Sequence, residues 1–315
     1  MSAEIYGGAQ QSTGVGGSTV KAALSVLVIT HNEERNIAAC LESVAWASEV
    51  FVVDSMSSDT TQDIATKHGA KVYPHVFEGY AKQRNWALKN LPFSNNWVLM
   101  VDADERIPER LREEIRKAVA DANSPFEGYY MKPRHFFLGR WIKHGSLYPV
   151  WILRLVKRSA GRFEDRPMNE RFLLRGEAGH LKEPFDHRDS RPLSAWIAKH
   201  NRYSDLEAEE FIQERFGGGY GSALPVRWWK NQPERKRWMK LRIWNRLPLL
   251  MRPFLLFARN YFFKAGFLDG KEGFIFHVLW SFWFPFLVVA KVTERQKARI
   301  GPPVLQAERG RPENR

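Results

Sequence analysis

The sequence contains very little cysteine. Cys40 is the only one among 315 residues, which excludes a disulfide framework within the chain and a cysteine-based zinc site. We therefore expect a reducing, cytoplasmic environment. Residues 1–21 lack the apolar segment of a secretory signal and are rich in Gly, Ser and Gln, which predicts a disordered lead-in over residues 1–22. We find no internal repeat.

Acidic residues are scarce in the C-terminal part. Residues 220–264 contain eleven Lys or Arg but one acid, Glu234, and the whole chain carries a formal charge of +13. A charge of this size indicates a nucleic acid, an anionic lipid surface or a phosphorylated substrate as partner. Because Asp and Glu are spread through the first two-thirds, the basic character belongs largely to the C-terminal part.

Apolar runs alternate with helical patterns in the first hundred residues. Residues 24–30, 50–53 and 97–101 are continuous apolar runs, as in strands buried on both faces, with a short strand at 71–73. Residues 33–44, a segment ending at 67, and residues 80–91 are expected to be helical. This alternation predicts an α/β fold with a mostly parallel sheet, in which ligands bind at the carboxyl ends of the strands.

The motif Asp102-Ala103-Asp104 follows the last of these apolar runs. Two carboxylates at this spacing can converge on one hard cation if the turn directs both inward, and carboxylate and diphosphate oxygens suit Mg²⁺ or Mn²⁺. Such an ion would neutralise a departing nucleotide diphosphate. An isolated Asp-X-Asp is more often a solvated acidic turn, but here two further strands end in polar residues.

Asp54 ends the second apolar run and begins a Ser-rich turn. Its carboxylate could accept a hydrogen bond from a nucleotide base or a ribose hydroxyl. The same turn could equally be a helix-capping loop, with Ser58 or Asp59 as the capping residue, and both roles can coexist.

These segments together resemble the inverting family 2 glycosyltransferases. The similarity lies in four ordered motifs, LSVLVITHNEERNIAACLES, VVDSMSSDTTQDIA, AKQRNWAL and WVLMVDADER. It continues through RFEDRPMNERF, the segment around His187, and ARNYFFKAGFLDGKEGFIF, and so covers about residues 24–291. Within the family the sequence is most similar to the lipopolysaccharide-core, β-glucosyltransferase-like type. The resemblance implies a GT-A, Rossmann-like fold, a nucleotide-sugar donor, a divalent metal ion and a glycan or glycolipid acceptor.

The resemblance also implies site residues. Asp102 and Asp104 match the metal motif. The nucleotide-sugar site implied by the matching motifs comprises Thr30, Asn32, Glu33, Asp54, Ser55, Arg84, Asn85, Asp102 and Ala103. Judged from the helical pattern alone, Arg84 would be an ordinary surface charge.

An inverting transfer needs a base that takes the proton of the acceptor hydroxyl. Glu170, in Met-Asn-Glu-Arg, matches the position at which the subgroup carries a His-Glu pair. The base should follow the metal motif in the chain, and Asp165 and Glu164 are local alternatives. The sequence departs from the subgroup at Asn169, where a His is usual, and at Val150, where an acid is frequent. The histidines of the chain lack metal-binding spacing, so we expect no zinc site and mostly structural roles for them.

The C-terminal part predicts a membrane-associating helical segment. Four Trp residues alternate with Arg and Lys after a glycine-rich hinge at 217–221, and two strongly apolar runs follow at 254–263 and 274–290. The second run has seventeen residues without formal charge, short of the roughly 20 of a spanning helix. We expect helices lying in the interface of an anionic membrane, on the inner face of the cytoplasmic membrane, although a helical extension packed on the catalytic domain is an alternative.

The predicted organisation is therefore a lead-in at 1–22, a catalytic domain at 23–215, a basic and aromatic helical segment at 216–300, and a disordered tail at 301–315. Three other functions fit parts of the sequence. A basic nucleic-acid-binding protein would use the Trp and Arg residues, but the acidic strand ends disfavour nucleic acid as partner. The intact Asp54, Asp102 and Asp104 disfavour a sugar-nucleotide-binding or scaffold protein that has lost catalysis. A polyprenyl-phosphate sugar synthase would carry clearer membrane spans.

Overall fold

The computed structural model describes residues 21–164, 171–216 and 247–300. Thirteen strands are described there. They are β1 Ala22–Thr30, β2 Ala47–Asp54, β3 Lys71–Pro74, β4 Trp97–Asp102, β5 Glu105–Arg106, β6 Phe126–Met131, β7 Pro133–Phe137, β8 Arg140–Ile142, β9 Ile152–Lys157, β10 Gly161–Phe163, β11 Phe172–Leu174, β12 Glu177–His180 and β13 Phe185–Arg188. The α-helices of these residues are α1 Ile37–Val44, α2 Thr61–Lys67, α3 Tyr80–Asn90, α4 Glu109–Ala120, α5 Leu193–Phe216, α6 Arg252–Ala258, α7 Gly270–His277 and α8 Phe284–Ile300.

Seven strands form the central sheet, in the order β12-β6-β9-β4-β1-β2-β3. The pairings β4-β1, β1-β2, β2-β3 and β12-β6 are parallel, whereas β9 runs antiparallel to both β4 and β6. The predicted α/β fold with a mostly parallel sheet is confirmed. A smaller sheet, β5-β13-β7-β8, lies beside it, and β10 and β11 form a hairpin.

The apolar runs form the centre of the sheet because both faces are covered. Side chains on one face pack against α1, α2 and α4, and side chains on the other pack against α3 and the β10-β11 hairpin. In β1 the seven residues from Leu24 onwards are all buried, which is why that strand has no polar alternation.

Helix α1 begins at Ile37, later than the predicted residue 33. Residues of the preceding loop are held by side chains from the β2-α2 loop, since the backbone N–H groups of Asn32 and Glu33 donate to Ser57 and Thr61 hydroxyls, each at 2.8 Å. These tertiary hydrogen bonds compete with the helical pattern of the sequence. The N-cap residue of α2 is Thr60 and not the predicted Ser58 or Asp59, although the Asp59 carboxylate accepts from the Thr61 N–H at 3.0 Å.

The C-terminal helices pack on the rest of the protein. Helix α8 lies against α5, where Ala208, Ile212 and Val292 are buried together, and Lys291 and Arg295 both pair with Asp205. Residues 259–263 and 278–283 are π-helical turns. Residues 1–20 of the predicted lead-in, the 217–221 hinge, the Trp-rich stretch up to residue 246 and the tail from 301 lie outside the described residues. The last residue of the predicted lead-in, Ala22, is the first residue of β1.

By length and composition alone, the helical stretch Gly266–Lys297 could cross a membrane, with a mean hydropathy of 1.8 and 33% of its apolar window buried in the protein. This is weak evidence, because core helices of soluble proteins have the same composition. Inside the stretch, His277 and Ser281 are buried and form a polar cluster with Asn260.

Candidate active site

Three predicted strand ends lie side by side at one edge of the central sheet. Thr30 pairs in register with Asp54 across β1 and β2, and Ile29 pairs with Asp102 across β1 and β4. Because the three strands are parallel, their carboxyl ends open on the same side, where ligands bind in folds of this kind. The fold therefore brings Thr30, Asp54 and Asp102 to one place.

Asp54 is fully buried and its carboxylate is held by its own loop. It accepts hydrogen bonds from the Ser57 N–H at 2.8 Å, from the Ser57 hydroxyl, and from the Gln62 amide at 2.7 Å. The neighbouring Ser55 hydroxyl accepts a hydrogen bond from Gln83 of α3. Asp54 thus organises the loop that borders the edge.

The loop after β1 has an unusual backbone. Asn32 adopts a φ of 52°, and its side-chain oxygen accepts from the Ser58 N–H at 2.8 Å. Glu33 is buried and pairs with Arg191 at 2.8 Å. Burial and the nearby Asp104 carboxylate raise the pKa of Glu33 to about 7. The Thr30 hydroxyl is buried and has no hydrogen-bond partner among the described residues.

Asp102 is held between two arginines from different elements. Its Oδ1 accepts from Arg84 of α3 at 2.8 Å, and its Oδ2 accepts from Arg154 of β9 at 2.9 Å. Burial opposes ionisation of Asp102, but the two guanidinium groups outweigh it and hold the pKa of the carboxyl well below its usual range. Arg84 is buried, so it is not the ordinary surface charge that the helical pattern alone indicated.

Arg154 also contacts Glu105, the residue after Asp104, and so joins the buried Glu105 carboxylate to the half-buried carboxylate of Asp102. Glu105 in turn accepts a hydrogen bond from the Asp102 N–H at 2.9 Å. Burial raises the pKa of Glu105 to about 7, although Arg154 opposes the rise. The hydrogen bond from the Asp102 N–H to Glu105 fixes the backbone of the Asp-X-Asp turn. Ala103, between the two aspartates, is buried.

Asp104 is buried and faces three cationic side chains. Its Oδ2 lies 3.4 Å from His187 Nε2, 3.8 Å from Lys199 Nζ and 3.9 Å from Arg191 NH2. Burial opposes its ionisation, but His187, Lys199 and Arg191 outweigh it and keep the pKa of the carboxyl well below its usual range. The second aspartate of the motif is thus ionised beside three cationic side chains.

His187 is the residue that sequence patterns missed. It lies on β13, opposite Glu105 of β5 and beside His135 of β7. Burial disfavours its protonated form, but Asp104 outweighs burial and raises the pKa of His187 to about 9. Burial and His187 together lower the pKa of His135 to about 3. Only the fold shows that His187 lies on a strand paired with β5, the strand that follows the Asp-X-Asp motif.

Asn85 makes a different contact from the other predicted site residues. Its side-chain amide donates to the Phe163 carbonyl at 2.9 Å and accepts from the Phe163 N–H at 2.8 Å. It therefore fastens the β10-β11 hairpin to α3.

Asp165 and Glu170, in the connection of that hairpin, lie outside the described residues. Glu164 is half-buried, and its N–H donates to the Arg171 carbonyl.

The donor types at this edge fit a divalent cation. The carboxylates of Asp102 and Asp104 supply the oxygen ligands that Mg²⁺ or Mn²⁺ prefers, and the imidazole of His187 lies 3.4 Å from Asp104. In the side-chain arrangement of residues 21–164, 171–216 and 247–300, no group of three His, Cys, Asp or Glu has the geometry of a formed metal site. The carboxylates are instead neutralised by arginine, lysine and histidine.

Comparison with known proteins agrees with this architecture. The family model described as Glycosyl transferase family 2 matches residues 25–175, the part of the chain that contains the sheet edge. The chain carries a glycosyltransferase domain, and the protein is a glycosyltransferase. Its domain belongs to glycosyltransferase family 2.

Similarity to curated proteins extends beyond this domain. The lipopolysaccharide core biosynthesis glycosyltransferase LpsC of Rhizobium meliloti is 26% identical over 294 residues, 91% of this chain and 98% of that protein. An uncharacterized glycosyltransferase of Rickettsia conorii is 26% identical over 86% of this chain and 90% of its own. Among solved structures, the mannosyltransferase PcManGT of Pyrobaculum calidifontis, in complex with GDP-Man and Mn²⁺, aligns over 87% of each chain with 16% identity and a TM-score of 0.49. No substrate or metal follows from a structural likeness of this size.

Proposed function

We propose that the protein transfers a hexose, with inversion at the anomeric carbon, from a uridine diphosphate sugar to a hydroxyl of a cell-envelope glycan such as lipopolysaccharide core. The convergence of Asp54, Asp102 and Asp104 at the carboxyl edge of the sheet carries the donor half of this proposal. The acceptor half is supported by similarity to LpsC over nearly the whole length of that protein.

Asp102 and Asp104 would hold a Mg²⁺ or Mn²⁺ ion, and His187 is placed to join them. Bound there, the ion would supply positive charge that neutralises the departing nucleotide diphosphate. Arg84 and Arg154 fix the Asp102 carboxylate in position. Lys199 lies 3.8 Å from Asp104 and would add positive charge for a diphosphate, whereas Arg191 is paired with Glu33 and Asp189.

The nucleotide part of the donor would lie along the loops after β1 and β2. The loops of Asn32 and Asp54 are tied together by hydrogen bonds, so their shape is set before the donor binds. Glu170 is the proposed base that takes the proton of the acceptor hydroxyl as its oxygen attacks the anomeric carbon. Asp165 and Glu164 are the alternatives in the same segment.

We further propose that residues 23–215 form the catalytic domain and that residues 216–300 attach it to the inner face of the cytoplasmic membrane without crossing it. Phe254, Phe262 and Phe263 are strongly exposed on this segment, Phe263 to 83%. The two acids between residues 247 and 290, Asp269 and Glu272, are mostly shielded from solvent.

The cations of the same surface are placed for lipid headgroups. Arg259, Lys264 and Lys271 are exposed, and each contributes about 1 kcal/mol near an anionic surface. The polar cluster of Asn260, His277 and Ser281 is buried against the protein. A helix that left the protein to span a bilayer would expose this cluster to hydrocarbon, which is costly.

The donor half is tested by measuring binding of UDP-hexoses with and without Mn²⁺, for example by the shift in melting temperature. Asp104→Asn should remove the metal-dependent part, whereas Asp121→Asn, at the exposed end of α4, should leave it intact. Equal donor binding in EDTA and Mn²⁺ would contradict the metal role. The best donor is then supplied with bacterial core glycans to test transfer.

A further inference from the structure

A cluster of aromatic and lysine side chains lies beside the candidate active site and is used by none of the roles above. The cluster, here called the aromatic platform, consists of Lys132, Trp141, Lys143, Tyr148 and Trp151. Lys132 Nζ lies 5.0 Å from the ring centre of Trp151 and 5.6 Å from that of Tyr148. The Tyr148 ring meets Trp141 edge-on at 5.3 Å, and Lys143 Nζ lies 5.6 Å from the Trp141 ring centre.

The register of the central sheet places the aromatic platform at the ligand-binding edge. Strand β9 runs antiparallel to β4, so Trp151, just before β9, lies toward the Asp102 end of β4. Strand β6 pairs with β9 through Met131 and Ile152, which puts Lys132 at the same edge. Arg154, three residues after Trp151, donates to Asp102. The platform therefore borders the site at which the donor would bind.

The aromatic platform is positively charged and open to solvent. Trp151 is 39% exposed, and Lys143 is also exposed. Within the described part of the chain neither Lys132 nor Lys143 pairs with a carboxylate; their contacts are with aromatic rings. Because no acid neutralises them, both ammonium groups can attract an anion.

The connection that carries most of the platform also contacts the C-terminal helices. The His144 N–H and imidazole both bond to the Asp269 carboxylate, at 2.8 and 2.7 Å, and the Gly145 N–H donates to the Lys264 carbonyl at 3.0 Å. A Cβ at Gly145 would come within 2.0 Å of His277. The platform thus lies between the donor edge and the helices proposed to touch the membrane.

We propose that the aromatic platform is an acceptor subsite that binds an anionic sugar residue of the acceptor glycan. The C–H face of a pyranose ring is apolar surface that Trp151 and Tyr148 can cover. A carboxylate or phosphate on that sugar would meet Lys132 and Lys143. A few charged groups among aromatic side chains are typical of sites that recognise one orientation of a ligand. This inference rests on the proposed function, since it names the chemistry of its acceptor.

The test uses the full-length protein without donor or metal. Binding of tetragalacturonate, an anionic probe, is compared with binding of neutral maltotetraose by calorimetry. The wild-type protein should bind the anionic probe at least fivefold more tightly, with an affinity that falls as salt rises. Trp151→Leu and Lys132→Gln should each weaken it by about 5- to 10-fold, the loss expected for one good contact in a partly exposed site.

Lys157→Gln is the matched control. Lys157 is the last residue of β9, the strand that Trp151 precedes, and its Nζ lies 5.4 Å from the Trp97 ring centre. It is at the opposite end of the strand from the platform and pairs with Glu127 at 2.9 Å. The Lys157→Gln variant should bind tetragalacturonate as tightly as the wild-type protein does. Melting temperatures show whether each variant is folded, and if Trp151→Leu unfolds, Trp151→Phe, which shortens the ring surface, takes its place.

Four results would overturn the subsite: no binding of tetragalacturonate by the wild-type protein, equal binding of both probes, unchanged affinity in either platform variant, or an equal loss in Lys157→Gln. Metal-dependent binding of the UDP-hexose donor is measured separately on the same samples. If donor binding holds while the probe result fails, the acceptor inference is wrong and the proposed transfer stands. If donor binding fails, the proposed transfer itself is wrong.

Discussion

The imidazole Nε2 of His187 lies 3.4 Å from Oδ2 of Asp104. The two residues meet because β13 pairs with β5, the short strand that follows the Asp-X-Asp motif. The contact is an ion pair in the structure described here, and burial strengthens it by excluding water. The Asp104 carboxylate is also one of the two proposed to hold a divalent cation.

His187→Ala should weaken Mn²⁺ binding by about 10- to 100-fold, as expected when an oriented imidazole is lost from the surroundings of a metal. Calorimetric titration of the metal-free protein with Mn²⁺ measures this directly. His68→Ala, at the end of α2, is the control and should bind Mn²⁺ as the wild type does. Unchanged affinity in His187→Ala would mean that His187 serves only as the ion-pair partner of Asp104.

Glu170→Gln should lower kcat by about 10²- to 10⁴-fold, the usual contribution of a general base, while the Kd for the donor stays nearly the same. The substitution keeps the shape of the side chain and removes its basicity. Steady-state kinetics and donor titration together measure both effects. If Glu170→Gln keeps the wild-type kcat and Asp165→Asn does not, Asp165 is the base.

Arg154→Met should lower the free energy of unfolding by about 3–5 kcal/mol, because it leaves the buried Glu105 carboxylate and the half-buried Asp102 carboxylate without their shared partner. Urea unfolding followed by circular dichroism gives the value. Adding Glu105→Gln to Arg154→Met should recover part of the loss, since one uncompensated charge is removed. Arg162→Met, at an exposed position of β10, should change stability by less than about 0.5 kcal/mol.

The double variant Phe262→Ser/Phe263→Ser should reduce binding to anionic liposomes in flotation, because it removes two exposed aromatic side chains from the proposed membrane surface. The control Val76→Ser/Phe77→Ser removes a similarly exposed apolar pair from the β3-α3 connection and should float as the wild type does. High salt should release part of the bound protein. Extraction by detergent alone, with a protease-protected fragment, would instead indicate a spanning helix.

The sequence by itself determined four neighbouring strands of the central sheet, β1 to β4, and the ligand edge that they form. Apolar runs that end at Thr30, Asp54 and Asp102 can be stable only as strands covered on both faces, and parallel strands bring their ends together. The Asp-X-Asp motif and the family therefore followed from local sequence. The start of α1 did not, because hydrogen bonds from Ser57 and Thr61 override the helical pattern in the loop before it.

Only the tertiary structure decided which side chains surround the two aspartates. Arg84, Arg154, His187 and Lys199 come from α3, β9, β13 and α5, and no spacing in the sequence links them to Asp102 or Asp104. Strand β9 runs antiparallel between β4 and β6, and this reversal places Arg154 against Asp102 and Trp151 at the same edge. Contacts between distant segments depend on strand order and direction, and these are set by the packing of the whole chain and not by the periodicity of any one segment.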